Sequence, residues 1–143
     1  MSRKKVIVGD VYAILLPNGR FAFARVFKGS NIGVYECISN SIEKTPSQEK
    51  YMFFVGVYKN VFSKMRFITN KPFENEEQSW PPPQCMVDVI TQKGSILYKG
   101  EILQCSYDDC KNLEIAAVWD YQHIVDRIMG VKKWYDLLVK PKC

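Results

Sequence analysis

Apolar and polar residues near the start of the chain follow the pattern of two antiparallel strands. Residues 9–27 contain two apolar stretches that meet at Asn18-Gly19. Asn and Gly both tolerate positive φ, which favours a two-residue type I′ turn between paired strands. Counting outward from that turn predicts three facing pairs, which are Leu16 with Phe21, Ile14 with Phe23 and Tyr12 with Arg25.

Further apolar runs of strand length follow. They predict strands at residues 33–38, 51–58, 65–68, 86–90, 95–98 and 101–107. Residues 113–119 mix side chains that favour helix with side chains that favour strand, and we favour a strand there. Residues 70–85 hold four prolines and three glutamates, which predicts an extended acidic loop.

Residues 120–130 have the spacing of an amphipathic helix. Apolar side chains recur at positions i, i+3, i+4, i+7 and i+8 from Tyr121, so one apolar stripe is expected to face a sheet. Asp120 is suited to cap the start of this helix, and Gly130 is suited to end it. Residues 131–139 fit either a last helical turn or a final strand.

Together these elements predict a single α+β domain over residues 1–143 that is mainly β. The expected architecture is a bent antiparallel sheet, or a partly open SH3-like barrel, with a C-terminal helix packed on it. A chain of 143 residues buries enough surface to fold without covalent staples. The pattern leaves the oligomeric state open.

Composition excludes some classes of protein and leaves others open. No apolar run approaches the ~20 residues of a membrane span, so we expect no membrane association. The basic start of the chain is followed by Asp10 and lacks a cleavage site, so secretion is not expected. Twenty basic residues against 15 acidic ones give a net charge of +5, which suits either nucleic acid or an acidic protein partner.

The cysteines point to a reducing compartment. The chain has five, an odd number without CxxC spacing, which favours neither a disulfide framework nor a structural zinc site. We therefore expect reduced thiols and a cytoplasmic location. A local bridge between Cys105 and Cys110 is the alternative.

No pattern in the chain indicates an enzyme. His123 is the sole histidine, and the helical spacing places it on the polar face with Gln122, Asp126 and Arg127, where a solvated residue is the simplest interpretation. No glycine-rich phosphate loop occurs, and one histidine is a poor basis for a metal site. We expect no catalytic residues, no metal and no cofactor.

Candidates for partner binding are more numerous. Arg25 lies within an apolar strand, so its guanidinium must reach a sheet edge, stack on Tyr12 or pair with a carboxylate such as that of Asp10. An exposed loop with a tryptophan and several carboxylates suits a basic protein partner, although the tryptophan can also fold back over the sheet. The predicted partner-binding residues are Tyr12, Arg25, Glu74, Glu76, Glu77 and Trp80.

An alternative places nucleic acid on a different segment. Aromatic and basic residues interleave over residues 58–67, a pattern that can stack bases and hold phosphates. Lys59, Lys64 and Arg66 are the basic residues of this SH3-like nucleic-acid-binding hypothesis. An amphipathic sheet with basic solvent-facing positions explains the same pattern without a ligand.

The first hairpin also resembles a known family. The residues concerned are Gly9-Asp10, Tyr12-Ala13-Ile14, Leu16-Pro17, Gly19 and the aromatic-rich strand that leads to Arg25-Val26. This run resembles the opening of the immunity protein 26 family, whose members accompany bacterial polymorphic toxins. A looser similarity covers residues 67–73 and Pro82-Pro83, and the chain departs from the pattern at Ala24, where a glycine is frequent.

That resemblance carries expectations about function. It implies a small cytoplasmic α+β protein that binds a cognate toxin domain and blocks the active site of the toxin or an adjoining surface. It implies no catalytic residues, because neutralisation of this kind requires affinity and complementary charge rather than a reaction.

Overall fold

The computed structural model describes residues 5–88, 90–91 and 93–130, and within them the chain is mainly β. Two short 3-10 helices lie at Lys59–Lys64 and Glu77–Ser79. The α-helices are α1 (Tyr107–Cys110) and α2 (Tyr121–Ile128). The strands are β1 (Asp10–Leu15), β2 (Phe21–Phe27), β3 (Asn31–Tyr35), β4 (Tyr51–Val57), β5 (Arg66–Asn70), β6 (Gln84–Asp88), β7 (Lys93–Tyr98), β8 (Glu101–Ser106), β9 (Glu114–Ile115) and β10 (Val118–Trp119).

The strands form two sheets. The first has the order β10-β4-β3-β2-β1-β5 and the second has the order β8-β7-β6-β9. Neighbours are antiparallel except for two short parallel pairs, β10 with β4 and β6 with β9. The predicted α+β, mainly β class with a C-terminal helix is confirmed, and over the described residues the sheets do not close into a barrel. Residues 131–139, where a last turn or strand was predicted, lie outside the described part of the chain.

The first turn differs from the prediction, and Pro17 explains why. The Gly19 N–H donates to the Leu16 carbonyl at 2.9 Å and the Leu16 N–H donates to the Arg20 carbonyl at 2.8 Å, so the loop has three residues. Proline fixes φ near the value required at the second position of a type I turn, and Gly19 then takes the left-handed position at φ 81°. A type I turn with a glycine bulge replaces the predicted type I′ turn.

This longer loop shifts the register by one residue, which makes the predicted pairs wrong. Tyr12 faces Ala24, and Arg25 faces Val11. Because side chains alternate along a strand, the shift separates Tyr12 and Arg25 onto opposite faces of the sheet. Tyr12 points into the main core, and Arg25 lies on the outer face beside Phe23.

The main core lies between the first sheet and α2. The apolar stripe of α2 buries Ile124 and Val125 against this sheet, as predicted. Asp120 caps the helix by accepting a hydrogen bond from the His123 N–H at 3.3 Å, and Gly130 follows the helix at φ 75°. Within the described residues, no helix is long and apolar enough to cross a membrane.

The predicted polar face of α2 is only partly solvated. Asp126 is 6% exposed and accepts a hydrogen bond from the Gln122 side chain at 2.9 Å. Arg127 lies 4.1 Å above the Phe53 ring and pairs with Glu114 at 2.8 Å. Two of the four residues assigned to that face therefore stabilise the packing of the helix.

The cysteine prediction is wrong for one pair. Cys85 of β6 and Cys110 of α1 form a disulfide with their Cα atoms 5.2 Å apart. Cys37 and Cys105 are free thiols, so the alternative bridge between Cys105 and Cys110 does not form, and Cys143 lies outside the described residues. The disulfide joins the short helix to the second sheet, over Gly94 of β7.

Candidate partner-binding surface

The bridging loop, residues 71–83, connects the two sheets and carries most of the predicted binding residues. It leaves the first sheet at the end of β5 and enters the second at the start of β6. Its prolines cannot donate ladder hydrogen bonds, so the segment stays out of both sheets, as predicted. Side chains from both sheets hold it in place.

Arg25 is the principal contact between the first sheet and this loop. The guanidinium donates to the Glu49 carboxylate at 2.9 Å, to the Pro72 carbonyl at 3.2 Å and to the Lys71 carbonyl. It also lies 3.7 Å above the centre of the Phe73 ring. Arg25 is only 7% exposed, so it positions the loop rather than meeting a partner directly.

Glu49 completes this arrangement, and the sequence prediction missed it. One carboxylate oxygen accepts from the Tyr35 hydroxyl at 2.8 Å and the Tyr51 hydroxyl at 2.6 Å, as well as from Arg25. The other accepts from the Lys71 ammonium at 2.7 Å. A glutamate in a polar loop carries no sequence pattern, and the one available signal was the need of a buried arginine for a carboxylate.

The environment keeps Glu49 ionised. Burial alone would raise its pKa, but hydrogen bonds from Lys71, Tyr51 and Tyr35 and the charge of Arg25 lower the pKa to about 2. Burial and the neighbouring carboxylate raise the pKa values of both tyrosines, so they remain protonated donors. The cluster is thus a stable set of charge-assisted hydrogen bonds on the outer face of the sheet.

An aromatic patch lies next to this cluster. The ring of Phe27 has the rings of Phe73, Phe54 and Tyr51 around it, with centroids 4.9, 5.0 and 5.3 Å away. The rings close over Gly33, where an added Cβ would lie 2.7 to 2.9 Å from three of them. Phe73, Phe54 and Tyr51 are half-buried, so the patch combines a packed base with accessible ring surface.

The three predicted glutamates follow Phe73 along the bridging loop. Glu76 pairs with Lys28 at 2.8 Å, and this hydrogen bond lowers the pKa of Glu76. Glu77 pairs with Lys99, in the turn between β7 and β8. The side chains of Glu76 and Glu77 are still 76% and 67% exposed, and Glu74 is exposed as well. All three carboxylates are therefore accessible to solvent, two of them within ion pairs.

Trp80 fits the alternative in which it folds back over the sheets. Its ring lies between Gly29 and Gly100, the turn glycines of the two sheets, and a Cβ on either would lie 3.8 Å from the ring. Trp80 is half-buried and also lines a groove of about 560 Å³ beside Phe62. It therefore contacts a turn of each sheet and remains partly exposed.

Tyr12 does not belong to this surface. It is 3% exposed, and its ring packs against Phe62 and Phe67 at 5.2 and 5.7 Å. These contacts also bear on the nucleic-acid alternative, because Phe62 and Phe67 are two of the aromatics that were to stack bases. Lys59, Lys64 and Arg66 are exposed, as is Tyr58, but Phe62 and Phe67 pack against the core. Residues 58–67 therefore expose basic side chains that could contact phosphates, but the rings of Phe62 and Phe67 are not available to stack on bases.

The fold thus gathers Arg25, Glu74, Glu76, Glu77 and Trp80 along one loop and leaves Tyr12 in the core. His123 lies apart from them on α2, with Nδ1 3.2 Å from the Asp120 carboxylate. Among the described residues, no three His, Cys, Asp or Glu side chains are grouped to hold a metal ion. No family model, curated protein or solved structure matches the chain.

Proposed function

We propose that this chain is an immunity protein that binds and neutralises a cognate bacterial polymorphic toxin. In this proposal it covers the active site of the toxin or an adjoining surface, acts in the cytoplasm and uses no cofactor. The observation that carries the proposal is the bridging loop, a fastened loop that presents three exposed carboxylates beside an aromatic patch. The resemblance of residues 9–26 to the immunity protein 26 family supports the same function.

The physical argument for a protein partner rests on rigidity and composition. A loop held by Arg25, Lys28 and Lys99 loses little further conformational freedom on binding, which favours tight association. Half-buried Tyr and Phe rings are typical of the centre of protein interfaces. The exposed carboxylates complement a basic surface and steer its approach.

Co-expression tests this proposal directly. Cells that express the toxin domain encoded beside this chain are expected to resume growth when the full chain is supplied, and the two chains are expected to purify together. Charge reversal by Glu74→Lys should weaken the protection, because Glu74 is exposed on the proposed surface. Glu43→Lys is the matched control, since Glu43 is also an exposed loop glutamate but lies outside the bridging loop.

Two results would overturn the proposal. One is an adjacent reading frame that encodes no toxin-like domain. The other is cell death in the presence of the folded full chain at a level that exceeds the toxin.

A further inference from the structure

Strand β8 forms an edge of the second sheet that carries apolar side chains in solvent. Ile102 and Leu103 are 55% and 61% exposed. Within the described part of the chain, β8 pairs only with β7, so its other side is open. Exposed apolar residues on an edge strand are unusual, because such an edge is a template for another strand.

The turn before β8 determines which backbone groups face outward. Lys99 and Gly100 both have positive φ, at 53° and 78°, as in a two-residue type I′ turn. The pair that flanks such a turn, Tyr98 with Glu101, is hydrogen-bonded, so bonding alternates from there along β8. Ile102 and Gln104 therefore direct their backbone N–H and C=O groups away from β7.

The next residue in this alternation agrees with that assignment. The Ser106 N–H donates to the Asp109 carboxylate at 3.1 Å, as part of the capping box of α1, and not to β7. The backbone N–H of Ser106, which points away from β7, is thus already bonded to the Asp109 carboxylate. Ile102 and Gln104 remain as the centre of the open edge.

Strand β8 also lacks the features that usually prevent edge pairing. Residues 101–106 contain no proline and no lysine, and one glutamate stands at the first position. The pairing of β7 with β8 runs without a bulge. Natural edge strands are commonly protected by such charges, prolines or bulges.

We propose that β8 pairs with β8 of a second copy of this chain, antiparallel and about a two-fold axis at Leu103. Ile102 exchanges backbone hydrogen bonds with Gln104 of the partner subunit, and Gln104 does so with the partner's Ile102. Leu103 then faces the partner's Leu103 in a non-hydrogen-bonded pair, with Cα atoms about 4.5 Å apart. The two four-stranded sheets become one continuous sheet.

Self-complementarity is the reason for choosing a second copy as the occupant. An isologous interface requires a surface that fits itself, and an antiparallel strand with a leucine at its centre meets that requirement. The pairing covers the exposed Leu103 side chain with its own copy and satisfies the outward N–H and C=O groups of Ile102 and Gln104 in both subunits.

A crosslinking experiment on the full chain tests the register. Leu103→Cys is introduced after Cys37, Cys105 and Cys143 are replaced by serine, and Gln104→Cys in the same background is the matched control. Leu103→Cys is expected to form an intersubunit disulfide about tenfold faster or more, because only that position brings the two sulfurs within bonding distance. Equal rates at the two positions would contradict this register.

A mass measurement tests the dimer itself. Light scattering at high micromolar concentration is expected to give twice the chain mass of 16.6 kDa. Leu103→Lys should give the monomer mass with unchanged circular dichroism, and Leu15→Lys, at another leucine that is 58% exposed, should remain dimeric. The proposal would be overturned if the unmodified chain is monomeric, or if β8 pairs with a strand of the toxin and not with a second copy of this chain.

Discussion

Glu49 is one carboxylate that satisfies four donors on the outer face of the first sheet. Three of them, Arg25, Tyr35 and Tyr51, come from neighbouring strands, and Lys71 begins the bridging loop. Charge-assisted hydrogen bonds of this kind are stronger than neutral ones. Glu49 therefore links the position of the loop to the stability of the sheet, although its own segment has no regular structure.

Replacement of Glu49 should show this link as a pH-dependent loss of stability. Glu49→Gln is expected to lower the free energy of unfolding by about 1 kcal/mol at neutral pH, since Arg25 loses its ionised acceptor while water partly screens the Glu49 carboxylate, whose side chain is 40% exposed. The folded pKa of about 2 lies below the ordinary value of 4.5. The stabilisation is therefore complete above about pH 5 and is lost as the pH falls toward 2.

Urea unfolding at a series of pH values measures this effect. The difference between the unmodified chain and Glu49→Gln should be largest above pH 5 and should shrink as the pH is lowered. Glu43→Gln, at an exposed position in the same loop, should leave the curve unchanged. A difference that is constant with pH would show that Glu49 acts through packing rather than charge.

At the scale of elements, the turns show which sequence signals are reliable. Asn18-Gly19 favours a two-residue turn, but Pro17 adds a third residue, and the register of β1 and β2 changes with it. Lys99-Gly100, which has no comparable sequence signal, forms the two-residue turn with positive φ. A proline before a turn dipeptide therefore influences the turn type as strongly as the dipeptide does, because it fixes its own φ angle.

The disulfide between Cys85 and Cys110 is a second element-scale feature with a measurable consequence. It closes a loop of 25 residues, and bridges over loops of this size stabilise a folded chain by about 3 kcal/mol. Reduction should lower the free energy of unfolding by about that amount. A Cys85→Ala, Cys110→Ala variant should not respond to the reductant.

Thiol titration of the unfolded chain provides the direct check. The chain isolated without reductant should show two fewer reactive thiols than the reduced chain. Equal numbers would mean that the pair is reduced, as the odd cysteine count first indicated. Structural disulfides are rare in a reducing cytoplasm, so the same measurement also bears on the location that we propose.

At the scale of the whole molecule, the local pattern predicted most of the strands, the C-terminal helix and the proline-rich connection, but the strand predicted over residues 113–119 is two short strands, β9 and β10, in different sheets. It did not predict that β5 pairs with β1 or that the strands divide into two sheets. Those pairings depend on contacts between distant residues, which periodicity does not encode. The candidate site also divides into a part that the sequence predicts and a part that it does not. Arg25 was identified as a charge within an apolar strand that needs a partner. Its partner Glu49 was not predicted, because it lies 24 residues away in a loop without a sequence pattern.

Long-range contacts also explain why some of the predicted binding residues lie on the bridging loop and one lies in the core. The sequence places Glu76 and Glu77 in one acidic loop, and the fold pairs them with Lys28 and Lys99, which lie in turns of different sheets. The predicted register places Tyr12 opposite Arg25. The observed register differs by one residue, so Tyr12 faces Ala24 and its side chain lies in the core. The sequence thus predicted which strand or loop holds each of these residues, but it did not predict which way their side chains point.

The central claim is that the bridging loop is the surface that holds a toxin. Calorimetric titration of the full chain with the toxin domain encoded beside it tests this most directly. We expect tight binding that Glu74→Lys weakens about tenfold or more and that Glu43→Lys leaves unchanged. No binding, or equal binding by both variants, would contradict the account.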